Sequence, residues 1–509
     1  MNEVASATRR HGFNPIVGDI QLKQQQWFSW YRGDVNGFHT FNQKVNGKMI
    51  NFERQTMNMP KKVCEDYTSL IWNEACDIAF EDENTQKIVE RVLEENDFEM
   101  NFANLYEQTM GMGMGYLVEY LKDNETKIDF IPFQNALPLE FDNTKVKSLV
   151  VIGYRKVREH DKVLYITHLM YHRMINGKYQ IKHEAYLSDN KQTIGTLSVQ
   201  YMRYIFDDAT LKRMQRVKYD KNGKLVDIEY VVEFDAARPF FQVLRPNIKN
   251  HFDLDSPYGV SLFSTAIGYF KIADTLFDML MSEAVDNKTR IIVDHQLLKT
   301  KMVENEETGE TQFINYFDEN DTAMMGLPFK NQDTGQKAIE YFQGELRMGQ
   351  LDLALSKVVR MIGFRVGLGK GYYAIEDGAV YQNEKNVIHT NADTWKSKKK
   401  HEQVVKSALY EMVESILHLE RLAGRYKGDP TKEKFEVIFD DSIVQDDEAE
   451  DTKYMTLANS GYIPKYKAVA RLLRISDEEA KQWVAEAEQS DEFAQLVGIR
   501  AVDDEPEEA

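Results

Sequence analysis

Apolar residues recur at helical spacing through 60–80, "PKKVCEDYTSLIWNEACDIAF", at Val63, Tyr67, Leu70, Ile71, Ala75 and Ile78. Pro60 suits the first turn and Asn58 stands where a cap belongs. A second helix is expected from about 84 to 110, ending at the glycines of "GMGMG". From 115 to 240 the period drops to two. "YLVEYLK", "VKSLVVIGYRKV", "VLYITHLMYHRM" and "YQIKHEAYLS" read as strands, with Asn176-Gly177 as a hairpin turn. After 250 the helical period returns. Residues 261–284 form one long helix whose apolar positions Leu262, Ala266, Tyr269, Ile272, Ala273, Leu276, Phe277 and Leu280 cover more than one face. A β-hairpin follows, "RIIVDHQLLKT" against "TQFINYF" across "NEETGE". Then come a helix over 345–362, a glycine-rich loop, and a very long helical stretch from about 383 to 423. The tail breaks into short helices at Gly461, Pro464 and Ser476, with Ser476 and Glu479 as a capping box, and ends in the acidic "DDEPEEA". The fold class is α+β, mainly helical.

Composition narrows the function. The 509 residues suffice for several cores, and 42% hydrophobic with 28% charged residues is the balance of a globular chain. No run of 18 apolar residues suggests a membrane partner, and the N-terminus carries no secretory pattern, so a cytoplasmic site of synthesis is expected. Two cysteines, Cys64 and Cys76, are too few for a disulfide framework or a four-thiolate zinc site and read as small buried hydrophobes on one helix. The net charge of −19 argues against wrapping nucleic acid tightly, though an acidic wall lets DNA pass without holding it.

The stretch "GFRVGLGKGYYAIEDGAVYQNEKN" (363–386) has the composition of a phosphate loop but not its spacing. Counting back from Gly369-Lys370, a P-loop needs glycine at 364, which is Phe364, and a hydroxyl where Gly371 stands. A dinucleotide fingerprint from Gly367 meets Tyr372 instead of a third glycine. The acidic pairs Asp440-Asp441 and Asp446-Asp447 lie in a solvated charge run, the eleven histidines are scattered, and Asp220, Asn222 and Gly223 fit a turn better than a calcium loop. No catalytic residue, metal site or cofactor is assigned. A helix–turn–helix reading of Lys465, Lys467, Arg471 and Arg474 competes with a plain helical subdomain, and the acidic neighbours favour the latter.

The order of these elements, with "RPNIKNHFDLDSPYGVSLFSTAIGYFKIADTLFDMLMSEAVDNKTRIIV" (245–293), "YQNEKNVIHTNADTWKSKKKHEQVVKSAL" (381–409) and "VIFDDSIVQDDEAEDTKYMTLANSGYIPKYKAV" (437–469), resembles the portal proteins of tailed double-stranded DNA bacteriophages, of the siphophage type of Gram-positive hosts. The aromatic "QQQWFSWYRG" near the N-terminus and the three loop tyrosines depart from the pattern. The resemblance implies a portal fold: a wing over 1–250, a first stem helix over 251–285, a clip over 286–340, a second stem helix over 341–365, a tunnel loop over 366–383, a long wing helix over 384–425 and a crown over 426–509. It implies a ring of twelve copies with a central channel at one capsid vertex of the virion, assembled in the host cytoplasm. Its partners would be double-stranded DNA, the terminase large subunit, head–tail adaptors, and major capsid and scaffolding proteins. Gly369, Lys370, Tyr372, Tyr373, Glu376, Asp377 and Tyr381 are then expected to face DNA. Lys396, Lys398, Lys399 and Lys400 cannot share one helix face; solvation and pairing with acidic neighbours is the expected reading, and contact of one or two with DNA phosphates the alternative. The competing readings are a terminase-like packaging enzyme and a head or tail structural protein without a channel. The missing Walker signature stands against the first, the helix–β–helix–loop–helix order against the second.

Overall fold

A computed structural model of the chain describes residues 2–15, 18–45, 48–74, 76–143, 145–159, 162–219, 225–286, 290–294, 300–304, 311–315, 324–327, 339–342, 347–369, 371–373, 384–439, 458, 464–473 and 480–485. The chain divides into two units, Met1–Asp440 and Asp441–Ala509.

In the first unit, α1 (Asn2–Arg9) and α2 (Asp19–Tyr31) lead into a separate hairpin of β1 (Thr40–Val45) and β2 (Lys48–Glu53). The aromatic N-terminal segment is core: Trp27 and Trp30, three apart on α2 and so on one face, are both buried. Helix α3 (Met59–Ile71) is shorter than its periodicity predicts. Trp72 turns extended (φ −132°, ψ 109°), and the last residues of the expected helix become β3 (Asp77–Phe80). Cys64 is buried on α3 as expected, but Cys76 lies past its end, so the two cysteines do not share a helix.

The helix expected over 84–110 is two, α4 (Glu83–Glu94) and α5 (Phe98–Met112). Asp97 between them is left-handed (φ 46°), a conformation that short polar side chains tolerate. Asn96 fixes the break, donating to Val92 O (2.7 Å) and Thr126 O (3.1 Å) and accepting from Ile128 N (3.0 Å). At the far end of α5, Gly113 is left-handed (φ 85°), and its carbonyl oxygen passes so near Gly259 that a Cβ there would lie 2.0 Å away. This crossing of two glycines sets the direction of the chain toward the next long helix.

Strands β4 (Gly115–Lys122), β5 (Glu125–Pro132), β6 (Ala136–Asp142), β7 (Lys145–Glu159), β8 (Lys162–Ile175), β9 (Lys178–Ser188) and β10 (Thr196–Leu197) come next. They are followed by α6 (Asp208–Met214), β11 (Gln215–Tyr219), β12 (Leu225–Phe234) and β13 (Phe241–Leu244). The large antiparallel sheet runs β11-β12-β9-β8-β7-β6 with β10 beside β9, and a smaller one runs β13-β4-β5. Asn176 and Gly177, both at positive φ (52° and 77°), make the predicted two-residue turn between β8 and β9. Half-buried His168 and buried His183 meet at 3.0 Å across the same two strands.

Helix α7 (Ile267–Asp286) starts six residues later than its apolar pattern, because 262–266 form turns tied to α5 through Leu262 N to Met110 O (2.9 Å). Five short strands follow: β14 (Arg290–Asp294), β15 (Thr300–Glu304), β16 (Thr311–Asn315), β17 (Met324–Leu327) and β18 (Ile339–Phe342). The expected hairpin across 305–310 is β15–β16, but its predicted first arm splits: β14 joins β17 in parallel and β18 antiparallel. Helices α8 (Met348–Val366) and α9 (Glu384–Leu422) complete the long-helix set. Val405, Leu409, Met412, Val413, Ile416 and Leu417 of α9 are buried at helical spacing. Glu420 near its end is fully buried and held by Arg425 (two contacts of 2.6 Å), Arg91 (2.5 Å) and Thr126 (2.7 Å), joining α9 to α4 and β5. Strand β19 (Phe435–Ile438), in the stretch expected to open the crown, pairs instead with β3. Backbone pairing therefore places 435–438 in the first unit.

In the second unit, α10 (Lys465–Leu473) and a helical stretch at 480–485 are described, with Ala468 and Ala480 buried. Lys481 Nζ sits 4.9 Å from the Tyr466 ring.

Candidate functional site

The glycine-rich loop leaves α8 through a terminus that admits only glycine. Gly367 is left-handed (φ 94°); Gly367 N donates to Phe364 O (3.3 Å) and Leu368 N to Gly363 O (2.9 Å), the paired bonds of a Schellman cap. A Cβ on Gly367 would lie 2.7 Å from Ser397 Oγ and 3.1 Å from Tyr67 Oη. Those two hydroxyls are themselves bonded at 2.7 Å, and Tyr67 donates to Val366 O at 2.8 Å. The first glycine of the loop is thus pressed between α3 and α9.

The next residues are tied down as well. Leu368 is buried, and Gly369 N donates to Thr394 Oγ1 of α9 (2.9 Å). Tyr373 packs against Gly363 and donates its hydroxyl to Asp66 of α3 (2.7 Å), a carboxylate also paired with Lys62. Burial, then the hydrogen bond to Asp66, pushes the Tyr373 phenol far up, so it remains a donor. Tyr373 was expected to face DNA; with its ring half-buried and its hydroxyl committed to Asp66, it is part of the loop's root. Tyr372 stands edge-on to Tyr373 (5.0 Å between centroids) and is exposed, its phenol pushed up to about 12 by burial and the Asp66 charge. Lys370, Glu376, Asp377 and Tyr381 lie outside the described residues.

The four lysines of α9 separate. Lys398 is fully buried, 3.2 Å from Glu402, which also meets Lys399 at 3.1 Å. Two cations on one buried carboxylate form a structural pair, and Lys398 has no route to a phosphate from its place in the core. Lys396 is exposed and pairs loosely with exposed Asp393 (3.8 Å). Lys400 is exposed too; its backbone carbonyl accepts from Asn247 Nδ2 (2.6 Å), while neighbouring His401 Nδ1 accepts from Asn247 N (3.0 Å). Burial pushes His401 down to about 3, so it stays neutral. Lys396 and Lys400 are therefore the ammonium groups of this set that solvent reaches most freely. Asp66, Thr394 and Ser397 carried no signal in the sequence, because each acts through a contact with a segment distant along the chain, and Tyr67 showed only as a periodic apolar position.

Helices α7 and α8 run antiparallel. Arg347 clamps Glu283 (2.8 and 3.3 Å) at one end, and Arg365 Nε reaches Thr265 O (3.4 Å) at the other. Both helices still present apolar side chains to solvent: Ile272 and Met279 on α7, Leu353, Met361 and Phe364 on α8. Among the described residues, no helix is long and apolar enough to cross a membrane.

No curated protein matches the sequence. The solved structures that align with the chain include one described as "Virion of native gene transfer agent (GTA) particle" and one as "Neck of native GTA particle computed with C12 symmetry". Each is 10% identical, with 82% of this chain and 89% of the other covered at a TM-score of 0.37. The family described as "Phage portal protein, SPP1 Gp6-like" matches residues 22–492. With nearly its whole length inside that match, and with its long helices, intervening small sheets and glycine loop in the order described above, the chain belongs to the SPP1 Gp6-like family of phage portal proteins, structural proteins of the virion.

Proposed function

We propose that twelve copies of this chain close into a ring at one capsid vertex, with a channel through which double-stranded viral DNA is packaged and later ejected. In this reading the ring docks the terminase large subunit during packaging and head–tail adaptors afterwards, sits among the major capsid and scaffolding proteins, and performs no catalysis. Family membership supports the portal role. The observation that carries the ring is the exposed apolar side chains on α7 and α8. These helices already pack on one another, so the residues left in water need another copy to cover them. Helices α7 and α8 are then the paired stem, β14–β18 the clip between them, and the loop after α8 the element facing DNA, with Tyr372 exposed within its anchored root, next to Tyr373. Lys396 and Lys400 reach DNA phosphates, while the acidic surplus of the chain keeps adhesion weak enough for sliding.

The test is packaging itself. Particles assembled with the chain protect genome-length DNA from nuclease, and particles assembled without it remain empty. Equal protection in both would remove the proposed role.

A further inference from the structure

Among the described residues, the β1–β2 hairpin pairs with no further strand and leaves the whole of β2 exposed. Its root is fastened to α7: His39 Nε2 meets Asp274 Oδ2 (3.0 Å), Met57 N donates to Asp274 Oδ1 (2.9 Å) and Gln55 N to Asp278 Oδ1 (3.1 Å). Beyond that root every residue of β2 is exposed, including Met49, Ile50 (43%) and Phe52 (36%). The register places Phe41 opposite Phe52 and Gln43 opposite Ile50 on one face, with Asn42–Asn51 and Lys44–Met49 on the other. The hairpin is therefore amphipathic, yet its apolar face looks into water. A two-stranded hairpin alone is marginally stable in water, so a face of this kind calls for a cover.

We propose that the hairpin is an arm that lays its Phe41–Ile50–Phe52 face on the adjacent copy of this chain. The inference rests on the ring reading above and names a contact within it. Two observations select a second copy as the occupant. The first is charge. Residues 40–54 carry Lys44, Lys48 and Arg54 against Glu53, an excess of cations in a chain of net charge −19. Among the described residues neither Lys44 nor Lys48 makes an ion pair, so the arm carries unneutralised positive charge that suits a second copy, a chain of net charge −19. DNA is acidic as well, but it offers no comparable apolar surface for Ile50 and Phe52.

The second is sidedness. Asp274 and Asp278 mark the flank of α7 that holds the arm, and at ~100° per residue Ile272 and Met279 emerge on roughly the opposite flank, exposed. One chain thus carries unlike unsatisfied surfaces on two sides of one helix. A head-to-tail interface that closes into a ring requires such a pair.

A photo-crosslinking residue, p-benzoylphenylalanine, replaces Ile50 in the full-length chain, and the assembled protein is irradiated. The expected product is a ladder of covalently joined copies, with none when the probe replaces Met100, an exposed residue of α5. In parallel, Ile50→Asn with Phe52→Asn leaves the melting temperature of the subunit unchanged, because neither side chain is buried within it. The same pair raises the concentration at which rings half-dissociate about tenfold. Rings whose probe at position 50 joins only DNA or a different protein, or nothing, would overturn the arm and leave the ring standing. A wild-type chain that never forms rings would overturn both.

Discussion

Glu119 is the residue whose ionisation most directly opposes this fold. It is fully buried between β4, β13 and α9, accepting from Gln242 Nε2 (3.0 Å), and burial pushes its carboxyl up to about 8 against that hydrogen bond. A folded-state value raised above the ordinary 4.5 means a contribution fully present below pH 4.5 and lost as pH climbs toward 8. His172, His183 and His401 work in the opposite sense. Burial lowers them to about 3, 4 and 3, so the stability of their neutral forms is present above pH 6.5 and lost as pH falls below it. Glu119→Gln isolates the carboxyl. Its stability relative to wild type should rise between pH 5 and 8 by up to about 1.4 kcal/mol per pH unit, read from urea midpoints. Parallel curves for the two proteins would show that Glu119 does not titrate there. The lysines give a second residue-scale test. Lys398→Ala strands the buried Glu402 carboxylate beside Lys399 alone and should destabilise by about 3 kcal/mol. Lys396→Gln with Lys400→Gln should change stability by less than about 0.5 kcal/mol while lowering packaged DNA. Equal destabilisation by both changes would contradict the division of the cluster. The sequence showed four lysines in five positions and that they cannot share a face. Which one is buried depends on Glu402, and that pairing has no signature in a linear pattern.

At the scale of elements, the loop after α8 divides at Tyr373. Residues 367–369 and 373 are fastened to α3 and α9 through Ser397, Thr394 and Asp66, so a deletion that spares Tyr373 should spare the fold. Removing 374–380 should leave rings forming at the wild-type concentration but impair packaging or genome retention. Tyr373→Phe should cost about 1–2 kcal/mol for the lost bond to a carboxylate. Full packaging by the deletion variant would withdraw the loop's role; failure to assemble would make the segment structural. Much of the element order was legible beforehand. Periodicity located α8, α9 and three strands of the large sheet, β7, β8 and β9, and Asn176-Gly177 named the turn between the last two. The misses share a cause. Helix α3 stops at Trp72, the break at Asn96–Asp97 splits one apparent helix, and β19, a strand no local pattern announced, pairs with β3, each through a partner distant in sequence. Local periodicity cannot register such contacts. The glycines after α8 likewise announced a loop, but not that Gly367 is required by crowding against Ser397 and Tyr67.

For the whole molecule, the acidic balance and the exposed apolar faces point the same way. A chain of net charge −19 repels DNA in general, and this suits a conduit better than a clamp. In the proposed ring, covering Ile272, Met279, Leu353 and Met361 between copies would supply the association that like-charged subunits need. Replacing Leu353 and Met361 with serine should therefore weaken assembly far more than subunit stability, as read by sedimentation alongside thermal melting. Proportionate loss of both would mean those side chains act within the subunit. The central claim, a ring around a channel, is tested most directly by electron cryo-microscopy of the purified full-length chain at assembly concentration. The predicted result is end-on views of a closed twelve-fold ring with a central hole wide enough for duplex DNA. Monomers, open filaments or a closed disc without a hole would contradict it.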